Sequence, residues 1–199
     1  MPLRRRLIVT LWFAAFGFVV AACELPPTET EFPQLTYQHL PKHRFDVREL
    51  EVVEAYQPPF KAPNVEHLFP VKPMAAATRW AYDRIAPIGS QRRIRYTVRE
   101  ASVTEVPLDV QGGVKGAFTT DQAERYLAQL VVKVEILSDT GLVEGAATAK
   151  AERSVTVPEN ITLNERERVW FKLTERTMSD LSAQLDKTLV EVFDRYLIR

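Results

Sequence analysis

The sequence predicts an α+β fold: a two-layer α/β sandwich in the order β-α-β-β-β-α, with a mixed four-stranded sheet and two helices on one sheet face. Three observations predict it. Three consecutive runs between Arg92 and Val157 alternate apolar and polar side chains at the strand period. An alanine-rich stretch opening on Pro73 keeps helical spacing through Met74, Ala77, Ala81 and Ile85. Near the C-terminus Met178, Leu181, Leu185, Leu189, Val192 and Tyr196 form one apolar stripe in steps of three and four.

The chain starts outside that domain. Met1 to Arg6 carries three arginines, and Leu7 to Ala22 is an uncharged run of 16 residues, shorter than the ~20 a helix needs to cross a bilayer. A basic start, an apolar run and small residues before a cut site make residues 1–22 a cleaved secretory signal. Val20-Ala21-Ala22-Cys23 resembles the bacterial lipobox. The resemblance implies that Val20, Ala21 and Ala22 are the recognition stretch and that Cys23 is acylated, anchoring the protein to a membrane. Glu24 follows the anchor where an aspartate would imply retention at the inner membrane, so the expected location is the inner leaflet of the outer membrane, facing the periplasm.

Cys23 is the only cysteine, so lipidation leaves no thiol for a disulfide, a nucleophile or a thiolate metal site. Removal of 22 residues leaves 177, with 23 basic residues (26 less the three leader arginines) against 26 acidic ones. A net charge of −3 argues against a nucleic-acid partner.

Residues 23–43, with Pro26, Pro27, Pro33 and Pro41, read as a tether that could reach about 60 Å if mostly polyproline-like. Residues 44–199 read as a single α/β domain. Arg44 to Tyr56 is its first strand. The stretch 57–73, QPPFKAPNVEHLFPVKP, contains five prolines and is neither a regular helix nor a central strand. It carries too many large apolar residues for a disordered linker. It is either pinned over the domain's own core or offered to a partner, and Phe60, Val65, His67, Leu68 and Phe69 would form the contact surface.

The helix from Pro73 to Ile85 is ended by Pro87 and Gly89. The next run places Ile94, Tyr96 and Val98 on one strand face and Arg93, Arg95 and Arg99 on the other. Guanidinium groups grip phosphate and carboxylate bidentately. That face is therefore either a site for an anionic lipid or lipopolysaccharide, or a solvated surface paired with neighbouring acids such as Glu135 or Glu152. Ser138-Asp139-Thr140-Gly141 joins the last two strands as a tight turn. The final strand aligns Val143, Gly145, Ala147, Ala149 and Ala151, small enough to admit a helix close to the sheet. Thr162 and Glu165 form a capping box. The helix they start runs to Leu197, with a kink expected near Thr174 to Thr177, where the stripe is interrupted.

Chemical motifs are sparse. The sequence has no nucleophile elbow, no zinc-protease helix, no phosphate-cradling glycine loop and no dinucleotide fingerprint. His39 and His43 have metal-ligand spacing with Asp46 nearby, but Pro41 between them breaks the helix that would align them. No metal, cofactor or enzymatic activity is expected, and a hydrolase is the outlying alternative. With lipobox, tether and element order in place, the chain resembles small envelope lipoproteins: the lipopolysaccharide-assembly lipoprotein and the auxiliary lipoproteins of ABC-type lipid transporters. The resemblance implies a non-catalytic adaptor whose partner is an outer-membrane barrel or a transporter component. It carries over no binding residue.

Overall fold

Strand pairing follows the alternating runs. The structure, a computed structural model, describes residues 32–108 and 122–198. The signal segment, Val20, Ala21, Ala22 and Cys23 lie outside the described residues. The elements are β1 (His43–Phe45), β2 (Glu49–Glu54), α1 (Pro73–Arg84), β3 (Ile85–Pro87), β4 (Arg93–Pro107), β5 (Gln122–Leu137), β6 (Val143–Pro158) and α2 (Leu163–Phe193). The main sheet has the order β2-β4-β5-β6. β2 and β4 are parallel, as a crossover through α1 requires, and the later pairs are antiparallel.

The alternation sorts the two sheet faces. Ile94, Tyr96, Val98, Leu130, Val132, Val134 and Ile136 are buried under the helices, where they meet Trp80 of α1 and Leu181, Leu185 and Leu189 of α2. Trp80 stacks on Tyr96 with ring centroids 5.9 Å apart, and its indole N–H donates to Ser182 Oγ at 2.9 Å, tying the two helices together.

The expected first strand is two strands. β1 pairs with β3 in a separate parallel ribbon, and the chain turns at Asp46–Arg48 before β2. Gly89 shapes this turn: a Cβ there would stand 2.6 Å from the backbone of Asp46 and Val47, so only glycine permits the approach.

The tether is shorter than its proline content predicts. Its second half, residues 32–43, lies on the helices as a strap. Tyr37 is buried, Phe32 stacks on Phe171 with centroids 5.3 Å apart, and Leu35 and Leu40 pack on the core. The backbone N–H of Tyr37 donates to Asp83 Oδ2 at 2.9 Å. Arg84 donates to the Pro41 carbonyl at 2.7 Å and to Asp186 Oδ1 at 2.5 Å. His43 Nε2 lies 2.6 Å from the same carboxylate. Four large apolar side chains cover the helices, which a solvated spacer would not do. Eight residues then separate Cys23 from Phe32, a reach of at most about 30 Å.

α2 starts with both halves of the capping box in place. It runs unbroken through Thr174 and Thr177, where a kink was expected. Both threonines are buried; their hydroxyls donate to the carbonyls of Val71 and Leu173, so the gap in the stripe is filled rather than bent. The stripe also ends differently: Phe193 is buried and Val192 is exposed, because the helical period favours the step of four from Leu189. The small-residue face of β6 receives this end of α2. A Cβ on Gly145 would stand 3.1 Å from the Phe193 ring. Gly145→Val is therefore expected to cost about 1–3 kcal/mol by overpacking, read as a lower urea midpoint. An unchanged midpoint would show that Phe193 moves aside freely.

Candidate functional site

β4 is longer than β2, and this mismatch builds the candidate site. The β2–β4 ladder ends at Glu54↔Val98, while β4 continues to Pro107. Its remaining edge would leave backbone groups unpaired in a buried setting. The proline-rich loop covers it. Val65 N–H donates to the Val103 carbonyl at 2.9 Å, and Glu105 N–H donates to the Pro63 carbonyl at 2.8 Å. Between them the Glu66 carboxylate, 3 % exposed, replaces a strand backbone. It accepts from Val103 N–H at 3.1 Å, from the Tyr56 hydroxyl at 2.9 Å and from Asn64 Nδ2 at 3.3 Å. Burial first, and then the bond to Glu66, pushes the Tyr56 hydroxyl well above the ordinary tyrosine range, so it stays a proton donor to Glu66 at any physiological pH.

This pinning divides the expected contact surface in two. Val65 and Phe69 are buried in a second core cluster, where Phe69 stacks on Trp170 with centroids 4.9 Å apart and Trp170 meets Tyr126 edge-on. They are core residues and cannot touch a partner; their side chains fill the space between β4, β5 and α2. Phe60 and Leu68 instead point outward, 67 % and 55 % exposed. His67 is half-buried and sits under Phe60, with ring centroids 5.5 Å apart. Phe60 has φ +55°, a left-handed conformation that a bulky residue adopts only where its surroundings impose it. Beside it opens a cavity of about 320 Å³ lined by Tyr56, Pro58, Phe60, His67, Lys72 and Met74. Phe60 and Leu68 are thus two exposed apolar side chains on a pinned loop, with Phe60 beside a concavity.

The arginine face is largely occupied by its own sheet. Arg95 donates to Glu51 at 3.0 Å, and Arg93 lies 3.7 Å from the same carboxylate. Glu51 faces Arg95 in the parallel β2–β4 register. The two acids named from the sequence have other partners: Glu135 pairs with Lys133 and Glu152 with Lys150. Arg99 is exposed at a register shift between Val98 and Glu100, outside the Glu51 cluster. His39 is exposed, and His43 is committed to Asp186. Among the described residues no group of three His, Cys, Asp or Glu side chains could hold a metal, and no helix is long and apolar enough to cross a membrane.

Sequence reasoning missed Glu66. A lone glutamate in a proline-rich loop carries no signal until the loop is laid along β4. It also missed a basic row on α2, Arg168, Lys172 and Arg176, which the spacing i, i+4, i+8 could have shown; among the described residues Lys172 and Arg176 form no ion pair.

No protein-family model matches the chain, and no curated protein sequence matches it. Among solved structures it is similar to a minor lipoprotein from Acinetobacter baumannii, with 14 % identity over 76 % of this chain and 96 % of that one and a TM-score of 0.38. It is also similar to the rare lipoprotein B from Shewanella oneidensis, with 10 % identity over 70 % and 92 % of the two chains and a TM-score of 0.36. A candidate lipoprotein from Caulobacter crescentus aligns with 12 % identity over 69 % and 85 %, at a TM-score of 0.34. At these TM-scores the likeness assigns neither partner nor chemistry.

Proposed function

We propose that the protein is an acylated lipoprotein of the bacterial envelope, facing the periplasm from the inner leaflet of the outer membrane, and that it works as a non-catalytic adaptor. Its partner is an outer-membrane barrel or a component of a lipid transporter. The observation that carries this reading is the pinned loop: Glu66 and the Val65 and Phe69 anchors hold Phe60 and Leu68 in water, where burial in a partner would be worth about 1.5–3 kcal/mol for each fully covered side chain. The lipobox and the eight residues between Cys23 and Phe32 support it, because they keep the docking surface close to a membrane.

Phe60→Ser with Leu68→Ser in the full-length, C-terminally tagged protein is the test, since both side chains are exposed and the core anchors stay intact. The wild type, extracted in detergent, is expected to recover an envelope protein in near-equal amount by mass spectrometry. The double variant is expected to lose it while melting at the same temperature. Full recovery of the partner by the double variant would overturn the docking surface, and a positive result in a broad hydrolase screen would overturn the non-catalytic reading.

A further inference from the structure

We infer that the cleft between β6 and α2 binds a phosphate group, a site separate from the docking surface, whose assignment to a lipid phosphate rests on the acylation of Cys23 proposed above. The cleft has a volume of about 120 Å³, room for a tetrahedral oxyanion. Val169 and Leu173 of α2 line it with apolar surface, and Arg153, Lys172 and Arg176 supply its charged groups.

The charges in this cleft are not balanced. Arg153 is engaged by Asp180, with its Nη2 2.9 Å from Oδ1, and that pair neutralises itself. Lys172 and Arg176 are exposed and form no ion pair with any described residue. They stand four residues apart, with Arg168 another four before, and like charges at this spacing weaken a helix. Two cations without an ion pair among the described residues therefore face a concave, partly apolar cleft. An ammonium and a guanidinium fork are donors that grip phosphate oxygens, and such charge-assisted bonds are the strong ones. The β4 arginines make the contrast: Arg93 and Arg95 share Glu51 and have less charge to give.

Position favours a phosphate borne by a lipid. Phe171, next to Lys172, stacks on Phe32, and Phe32 is nine residues from Cys23. With Cys23 acylated, the headgroups of the anchoring leaflet lie within about 30 Å of the strap's first residue. A soluble phosphate monoester would meet the same donors.

The test is a fluorescence-detected melt of the full-length acylated protein in dodecyl maltoside, with two probes: glycerol 3-phosphate in solution and phosphatidic acid mixed into the micelles. Micelles carrying diacylglycerol are the control. A ligand of the folded state raises the melting temperature. The wild type is expected to be stabilised by phosphatidic acid and not by diacylglycerol, and the effect should shrink in 0.5 M salt, as ~10 Å screening at 0.1 M tightens further. The variant Lys172→Gln with Arg176→Gln is expected to melt normally without probe and to need at least ten times more probe. Arg93→Gln with Arg95→Gln should behave as wild type. Stabilisation by phosphatidic acid alone identifies a headgroup site, and stabilisation by glycerol 3-phosphate at similar concentration identifies the phosphate itself as the ligand. No stabilisation by either probe, or the same response in the Lys172/Arg176 variant, overturns the site.

Discussion

Replacing Glu66 with alanine is expected to destabilise the domain by about 3 kcal/mol, because each buried donor left without an acceptor costs about 1–3 kcal/mol. Three donors converge on this one carboxylate: the Val103 amide, the Tyr56 hydroxyl and Asn64 Nδ2. Val103 is fully buried, so no water replaces the lost acceptor without opening the loop. The loss corresponds to a melting temperature lower by about 6–12 °C for a domain of this size. Urea denaturation with an unchanged slope is the direct measurement, and faster hydrogen exchange at Val103 localises it. Glu66→Gln keeps one carbonyl acceptor and should recover about half the loss, since one of the three donors of roughly 1–3 kcal/mol remains fully served and another partly so. If both variants melt like the wild type, Glu66 does not hold the loop. The docking surface would then lose its rigidity, and the adaptor reading its main support.

Arg84→Met is the second large effect, and it acts on the strap. Arg84 is 3 % exposed, and its guanidinium contacts the Pro41 carbonyl, Ser182 and Asp186. It also lies over the Trp80 ring. Removing one partner of a buried ion pair costs about 3–5 kcal/mol. The lower figure applies, because the Asp186 side chain is 39 % exposed and can be rehydrated. The functional consequence is larger than the energy. With residues 32–43 released, the free chain after Cys23 roughly doubles, from about 30 Å to about 65 Å at full extension. Hydrogen exchange over residues 37–45 should rise ahead of global unfolding. Persistent protection there would show that Tyr37, Leu35 and Phe32 hold the strap by apolar contact alone.

Elements whose determinants are local were legible. The capping box at Thr162 and Glu165 uses residues three apart and appears as read. Pro73 opens α1 because its missing N–H costs nothing in the first turn. The parallel β2–β4 pair follows from the strand–helix–strand order, since a helical crossover returns the chain in the same direction. The alternation in β4 assigned Ile94, Tyr96 and Val98 to the core and the arginines to the other face.

The remainder depended on pairings between distant parts of the chain. Tyr37 finds Asp83 across 46 residues, so a proline-rich segment that resembled a spacer is instead packed. Within the loop, Phe60, Val65, Leu68 and Phe69 are all apolar, and without a helix or strand period nothing in their order separates anchors from exposed residues. The edge of β4 makes that choice by taking Val65 and Glu66 as backbone partners. Register likewise put Glu51 opposite Arg95, and the packing of α2 leaves Lys172 and Arg176 without an ion pair among the described residues. The sequence by itself determined the sheet, its two faces, both helices and their starts, because periodicity and capping act within a few residues. Only the tertiary structure decided which apolar side chains remain in water and which cations remain unpaired, because burial and charge compensation depend on what the rest of the chain brings alongside.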